Sequence, residues 1–353
     1  MKNIAIAVGI ISLISAVIVV AFLPRLQSDV SDKPFSATDN SLFTQSADTP
    51  TPTIYTFYEI TIPYLRARIY SSNLGDLAQV SQNSNYTSYL TSYDSDGLQI
   101  NGLLTKPRGD MPDGGFPAVV FIHGYIPPAQ YKTLVNYSSY VDYLARYGFV
   151  VFKIDLRGHA DSRGEPGGAY FSADYIIDTL NARAALAASD FVNPQKIGLW
   201  GHSMAGNVVM RSFTVMPEIP AVVVWAGAVY TYADQIEYGI NDGSYQQPSG
   251  NSQRLKRRQL LRETHGDFNQ DSPFWQAVAV TNYLSDLRGA VQIHHAINDN
   301  VVDIGYSRNL MRLLEQTSVL HELYEYSSGG HNLTGSAFSQ AMQRTVDFFR
   351  KSL

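Results

Sequence analysis

The sequence contains no cysteine. A disulfide framework, a thiolate metal site and a cysteine nucleophile are therefore excluded, while the compartment stays open, because exported and cytosolic proteins alike can lack the residue. The chain also lacks a basic surplus: 26 Lys and Arg against 31 Asp and Glu leave a formal net charge of -5, so a nucleic-acid partner has no electrostatic support. No internal repeat is visible. Charge is absent locally as well, between Lys2 and Arg25, where Ile4 to Leu23 is apolar except for Gly9, Ser12 and Ser15.

About twenty helical residues span roughly 30 Å, the thickness of a bilayer core. The run therefore predicts a transmembrane signal-anchor over residues 1–26 and a membrane contact through this helix. The apolar region of a cleaved signal peptide is shorter, about 7 to 15 residues, and the cleavage site after Ala21 is weak. Lys2 and the free amino terminus favour a cytoplasmic N-terminus with the rest of the chain outside the cytoplasm; secretion after cleavage is the alternative. Residues 27–53 are rich in Ser, Thr, Asp and Pro with few large apolar side chains, the composition of a flexible linker.

The 353 residues suffice for a large domain, which the sequence places over residues 54–353. Strands are expected at its entrance, over Ile54 to Ile62 and in an alternating run from Ser92 to Pro107 around an Asp96-Gly97 turn. From Pro117 onward strand-like and helix-like segments alternate. Strands are predicted over Ala118 to His123, Phe149 to Leu156, Ala221 to Ala226, Val291 to His295 and Glu322 to Tyr326. Helices are predicted over Tyr131 to Tyr147, Ala173 to Ser189, Ile304 to Gln316 and Ala337 to Lys351. This order implies an α/β fold with a mostly parallel, doubly wound sheet and ligands at the carboxyl ends of its strands. Gly227 to Leu287 is too long for an ordinary connection and reads as an inserted cap. Within it Arg254, Lys256, Arg257, Arg258 and Arg262 stand among Leu255, Leu260 and Leu261, which reads as an amphipathic lid helix with a solvated basic face and no strong charge selection, an anion-binding role being the alternative.

The chain is organised around Ile197 to Gly206, IGLWGHSMAG. An apolar strand, a tight Gly201-His202-Ser203-Met204-Ala205-Gly206 turn and a helix-compatible segment from Asn207 to Thr214 make a nucleophile elbow. Ala205 stands where the G-x-S-x-G pattern has its second glycine. A serine hydroxyl is a poor nucleophile at neutral pH and needs a base with a group to orient it. His331, in a Gly-rich turn after the last strand, and Asp299, beyond the strand of Val291 to His295, follow Ser203 in the order such sites use; Asp303 is the alternative acid. His294 and His295 point to opposite faces of a strand and receive structural roles. An oxyanion hole needs backbone donors, for which the N–H groups of Met204 and Tyr125 are the candidates, with Gly124 letting the backbone turn inward. No metal and no organic cofactor is required.

These residues resemble the α/β-hydrolase superfamily and, within it, the catalytic domain of the prolyl oligopeptidase family of serine peptidases. The resemblance rests on Ser95-Asp96-Gly97, Phe121 to Tyr125, Asp155 to Ser162, the elbow, Asp271-Ser272-Pro273, Asn282-Tyr283-Leu284, Ile293 to Val302 and Gly330-His331-Asn332. It departs at Ala160, Ala205 and Ala296, each in a glycine's place, and the residues before Ser92 are too few for the β-propeller of larger members. The resemblance implies a serine peptidase acting through an acyl-enzyme on small peptide or ester substrates. A carboxylesterase on the same triad and a non-catalytic binding module are the alternatives.

Overall fold

A computed structural model describes residues 57–247 and 252–353. The expected anchor over 1–26 and linker over 27–53 lie outside the described residues, among which no helix is long and apolar enough to cross a membrane. The strands are β1 (Ala78–Gln82), β2 (Tyr86–Ser95), β3 (Leu98–Pro107), β4 (Phe116–Ile122), β5 (Val150–Ile154), β6 (Val192–His202), β7 (Ala221–Trp225), β8 (Ala290–Ala296) and β9 (Leu320–Tyr326). Helices α1 (Ile62–Ala67), α2 (Ser138–Arg146), α3 (Asp174–Ala187), α4 (Met204–Val215), α5 (Tyr232–Tyr238), α6 (Gln253–His265), α7 (Pro273–Val278), α8 (Gly305–Leu314) and α9 (Ser336–Ser352) connect and cover them.

The strands form one sheet in the order β1-β2-β3-β5-β4-β6-β7-β8-β9. β1, β2 and β3 are an antiparallel entrance, and β3 pairs antiparallel with β5. From β5 to β9 every pairing is parallel. Burial explains the split: β5, β7 and β8 are buried at every position, as parallel strands covered on both faces must be. Side chains alternate between two cores. Val120 and Ile122 face α3 and α4 through Leu180 and Val209, while Val119 and Phe121 face α2 and α9 through Leu144 and Phe349.

The β2–β3 turn is the expected one. Asp96 and Gly97 take φ of 54° and 77°, the two left-handed residues of a tight hairpin, and the Asp94 carboxylate accepts from Gly97 N–H at 3.1 Å. Two other expectations fail. Tyr58–Ile60 is a 3-10 turn and Ile62 begins α1 rather than continuing a strand. Thr61 Oγ1 caps that helix by accepting from Tyr64 N–H, and Pro63 sits where a helix tolerates it. The helix expected from Tyr131 begins only at Ser138, because the Thr133 and Asn136 carbonyls are taken by Lys153 Nζ at 2.6 and 2.9 Å and Tyr137 has φ 60°.

Between β7 and β8 the chain forms α5, α6, α7 and a 3-10 segment, Val280–Asp286. In α6 only Leu261 is buried, and Leu260 stands in solvent. Arg257 and Arg262 are committed to Glu59 at 2.8 Å and Asp267 at 3.1 Å.

Candidate active site

β6 delivers its last residue, His202, to the carboxyl edge of the sheet, and Ser203 follows at φ 56°, ψ -121° immediately before α4. This conformation is open mainly to glycine and costs a serine on the order of 1–3 kcal/mol. It is held by Ser203 N–H donating to Trp225 O at 2.9 Å and Gly206 N–H donating to Ser203 O at 2.8 Å. The close approach demanded of small residues falls on Gly201 and Gly206. A Cβ on Gly201 would stand 2.6 Å from Ala205 O, and one on Gly206 would stand 2.6 Å from Gly227 Cα. Ala205 fits because the crowded position is its neighbour's.

Asp299 lies past the end of β8 with its side chain fully buried. Its Oδ2 accepts from His331 Nδ1 at 2.8 Å and from His295 Nε2 at 3.2 Å, and its Oδ1 accepts from the N–H groups of Val301 at 2.9 Å and Val302 at 3.0 Å. Burial opposes the charge, yet the hydrogen bonds from His295 and His331, the His331 charge and the Val302 amide together hold this carboxyl well below its usual range. With Nδ1 donating, His331 Nε2 keeps a free lone pair, the tautomer a general base needs. Asp303 is turned elsewhere: its Oδ1 accepts from Gly305 N–H at 2.7 Å at the start of α8.

His294 and His295 face opposite sides, as a strand requires. His294 packs beside Trp225 and Tyr324 and bonds to Tyr326 Oη at 2.9 Å. His295 does more than expected. Its Nδ1 accepts from Ser307 Oγ at 2.7 Å, which leaves Nε2–H to serve Val302 O and Asp299 together.

A further chain of hydrogen bonds ties three loops together. Gly124 N–H donates to Tyr137 Oη at 3.0 Å, so the Tyr137 hydroxyl donates to His202 Nδ1 at 2.6 Å, and His202 Nε2–H donates to His331 O at 2.9 Å. Burial, helped by the neighbouring His331, pushes the His202 imidazole down to about 3, so it stays neutral and keeps this polarity at physiological pH. Ser203 Oγ makes no hydrogen bond to His331 among the described residues. His202, the residue before Ser203, has its ring centre 4.6 Å from that of His331; serine–imidazole contacts often tighten only around substrate. Gly124 N–H is engaged by Tyr137, so it is not free to receive an oxyanion. A Cβ on Gly124 would reach 2.7 Å from Tyr137 Oη and 3.1 Å from His202 O, which is why glycine stands there. Nothing in a single sequence marks Tyr137 as a partner of the elbow.

The Asp155 to Ser162 run supports the site from β5. Arg157 pairs with Asp178 at 2.7 Å and Asp174 at 3.2 Å, and Asp155 accepts from Tyr131 at 2.8 Å and Thr133 at 2.6 Å. Ala160, in a glycine's place, has φ 46°, the conformation glycine adopts without steric cost. Ser203, Met204 and Tyr125 open onto a cavity of about 880 Å³ walled by the loop Glu165–Ser172 and by α6. Among the described residues no cluster of three or more His, Asp and Glu side chains is placed to hold a metal ion.

Residues 116–243 match the family described as serine aminopeptidase, S33; the match contains the elbow and stops before Asp299 and His331. The polyketide transferase claH of Penicillium crustosum is 27% identical over 146 residues, 41% of this chain and 46% of that protein. The chain spans less than half the length of the curated relatives it matches. Among solved structures, an acetyl xylan esterase from Paenibacillus superposes with a TM-score of 0.60 at 15% identity, covering 85% of this chain and 95% of that one. A dipeptidyl peptidase 4 from Porphyromonas gingivalis superposes with a TM-score of 0.56 at 19% identity, covering 76% of this chain and 36% of that one. The elbow, the sheet order and these matches agree on the fold: the chain has an α/β-hydrolase fold.

Proposed function

We propose that this protein is a serine hydrolase that cleaves small peptide or ester substrates through an acyl-enzyme. Ser203 attacks the scissile carbonyl while His331 Nε2 takes the hydroxyl proton, and Asp299 holds the imidazole in the Nδ1–H tautomer and stabilises its cation. The N–H groups of Tyr125 and Met204 receive the oxyanion. As the tetrahedral adduct collapses, His331 returns the proton to the departing oxygen or nitrogen; a water, deprotonated by the same nitrogen, then releases the acid and restores Ser203. The observations that carry this reading are the strained Ser203 lining a large cavity and the His331 imidazole whose Nδ1 is held by a fully buried carboxylate.

The match over residues 116–243 supports a hydrolytic enzyme and inclines the reading toward a peptidase. The acetyl xylan esterase, matched over nearly its whole chain, makes a carboxylesterase the second reading. A fluorophosphonate probe should label the wild-type chain and leave Ser203→Ala unlabelled; absence of labelling in both would return the protein to a binding module. Aminoacyl-p-nitroanilides run beside p-nitrophenyl esters separate the two enzymes, since ester turnover without amide cleavage across a broad panel selects the esterase. A membrane anchor at residues 1–26, with the hydrolase outside the cytoplasm, is part of the proposal on sequence alone.

A further inference from the structure

α6 brings four cationic side chains to the lining of the Ser203 cavity. Arg254, Lys256, Arg257 and Arg258 all reach its lining, but of these only Arg257 is in an ion pair among the described residues. Arg254 and Arg258 stand one helical turn apart on the same face, where like charges destabilise a helix. The Arg258 guanidinium lies 4.7 Å over the Phe171 ring. Burial first, and then the charges of Arg262 and Arg254, lower its pKa, which the Tyr245 hydroxyl opposes. Arg254 spans the cavity from the cap: a Cβ on Gly168 would lie 3.7 Å from its Nε, and its charge acts on Tyr170, Tyr175 and His159 in or behind the opposite wall.

Among the described residues none of the carboxylates lining the same cavity is in an ion pair with Arg254 or Arg258. Glu59 is bound by Arg257, and Asp174 by Arg157. Asp242 accepts from Ser244 N–H at 2.8 Å and Ser244 Oγ at 2.6 Å. Glu165 lines the wall without an ion pair among the described residues and is not among the charges acting on Arg258. Two guanidiniums left facing a half-enclosed cavity suit a planar anion, which each can bind through paired N–H groups.

We infer that Arg254 and Arg258 make the cap side of the Ser203 cavity a carboxylate-binding subsite, so that the preferred substrates carry a negative charge on the part held beneath α6. This rests on Ser203 being the nucleophile and replaces the sequence expectation of a merely solvated basic face. The test compares p-nitrophenyl monoesters of a series of dicarboxylic acids with p-nitrophenyl esters of the matching monocarboxylic acids, using the full chain. The charged esters should have the higher kcat/KM. Arg258→Gln and Arg254→Gln should each lower the charged-to-neutral ratio about tenfold, the size of one charge-assisted hydrogen bond, chiefly through KM. Arg262→Gln, on the same helix but outside the cavity lining, should keep the wild-type ratio. A wild-type ratio at or below one, or a ratio indifferent to both cavity arginines, overturns the inference. Turnover that survives Ser203→Ala counts against Ser203 as the nucleophile instead. If no ester is turned over, calorimetry on the Ser203→Ala chain still decides: monomethyl glutarate should bind about tenfold more weakly after Arg258→Gln, and equal binding refutes the subsite.

Discussion

Replacing Asp299 with asparagine exchanges one carboxylate oxygen for an NH₂ group, and the structure dictates how that group must be placed. The carboxylate accepts four hydrogen bonds, two at each oxygen. At Oδ1 the donors are the backbone N–H groups of Val301 and Val302, which have no alternative protonation state. At Oδ2 they are imidazoles, which do. The amide introduced by Asp299→Asn would therefore put its oxygen toward the backbone and its NH₂ toward His331 and His295. His331 Nδ1 would then have to accept, which moves the proton to Nε2 and removes the lone pair that takes the Ser203 proton. The expected loss in kcat is on the order of 10⁴, equivalent to about 5.5 kcal/mol of transition-state stabilisation, with fold retained because the backbone donors remain satisfied. Initial rates with a p-nitrophenyl ester measure it, and a thermal melt checks the fold. Asp303→Asn should stay within about tenfold of wild type, because Asp303 only serves the start of α8. An Asp299→Asn enzyme that is folded and retains a tenth or more of wild-type kcat would refute both the tautomer argument and the assignment of the acid.

Gly206→Ala should destabilise the fold by about 1–3 kcal/mol, since its methyl would meet Gly227 Cα at 2.6 Å and the cost of overpacking falls in that range; urea melts measure it, and an unchanged midpoint contradicts the elbow packing. Two groups act in opposite directions on the acid limb of stability. His202, lowered from 6.5 to about 3, binds its proton more readily in the unfolded chain, so stability falls as pH drops through that interval. Asp155, raised by burial from 3.8 to about 6, binds its proton more readily in the folded chain, so its contribution runs the other way and is lost as pH rises through its own interval. Asp155→Asn should accordingly steepen the acid loss of stability in thermal melts, and curves parallel to wild type would refute the burial argument. The full chain should sediment with membranes and a chain lacking residues 1–52 should remain in the supernatant; equal partition of the two removes the anchor.

Much of the site was legible because its signals are local. A buried strand, a Gly-His-Ser turn and a helix occupy about twenty consecutive positions, and the Asp96-Gly97 hairpin declares itself by residues that tolerate left-handed backbone. His331 and Asp299 could be found because chain order on this fold fixes which strand ends face the serine. The run from Tyr131 misled because its apolar spacing suits a helix, whereas a buried Lys153 from β5 takes the carbonyls a helix would need. Ile54 to Ile62 misled through aromatic and β-branched composition, against which the Thr61 cap and Pro63 decide locally for a helix.

The sequence by itself therefore determined the order of strands and helices and the elbow, and it nominated the candidate serine, carboxylate and imidazole, since each depends on neighbours within a few residues or on fixed chain order. Only the tertiary structure decided what holds them. Tyr137 meets His202 across 65 residues and His202 meets His331 across 129. The second imidazole on Asp299 is legible as a ligand only once β8 and the turn after it are folded together. The cap arginines line the same cavity as Ser203 because α6 lies against the loop that follows β5. Such contacts are set by packing between segments that no local periodicity links, and here they fix the tautomers and the charge within reach of Ser203.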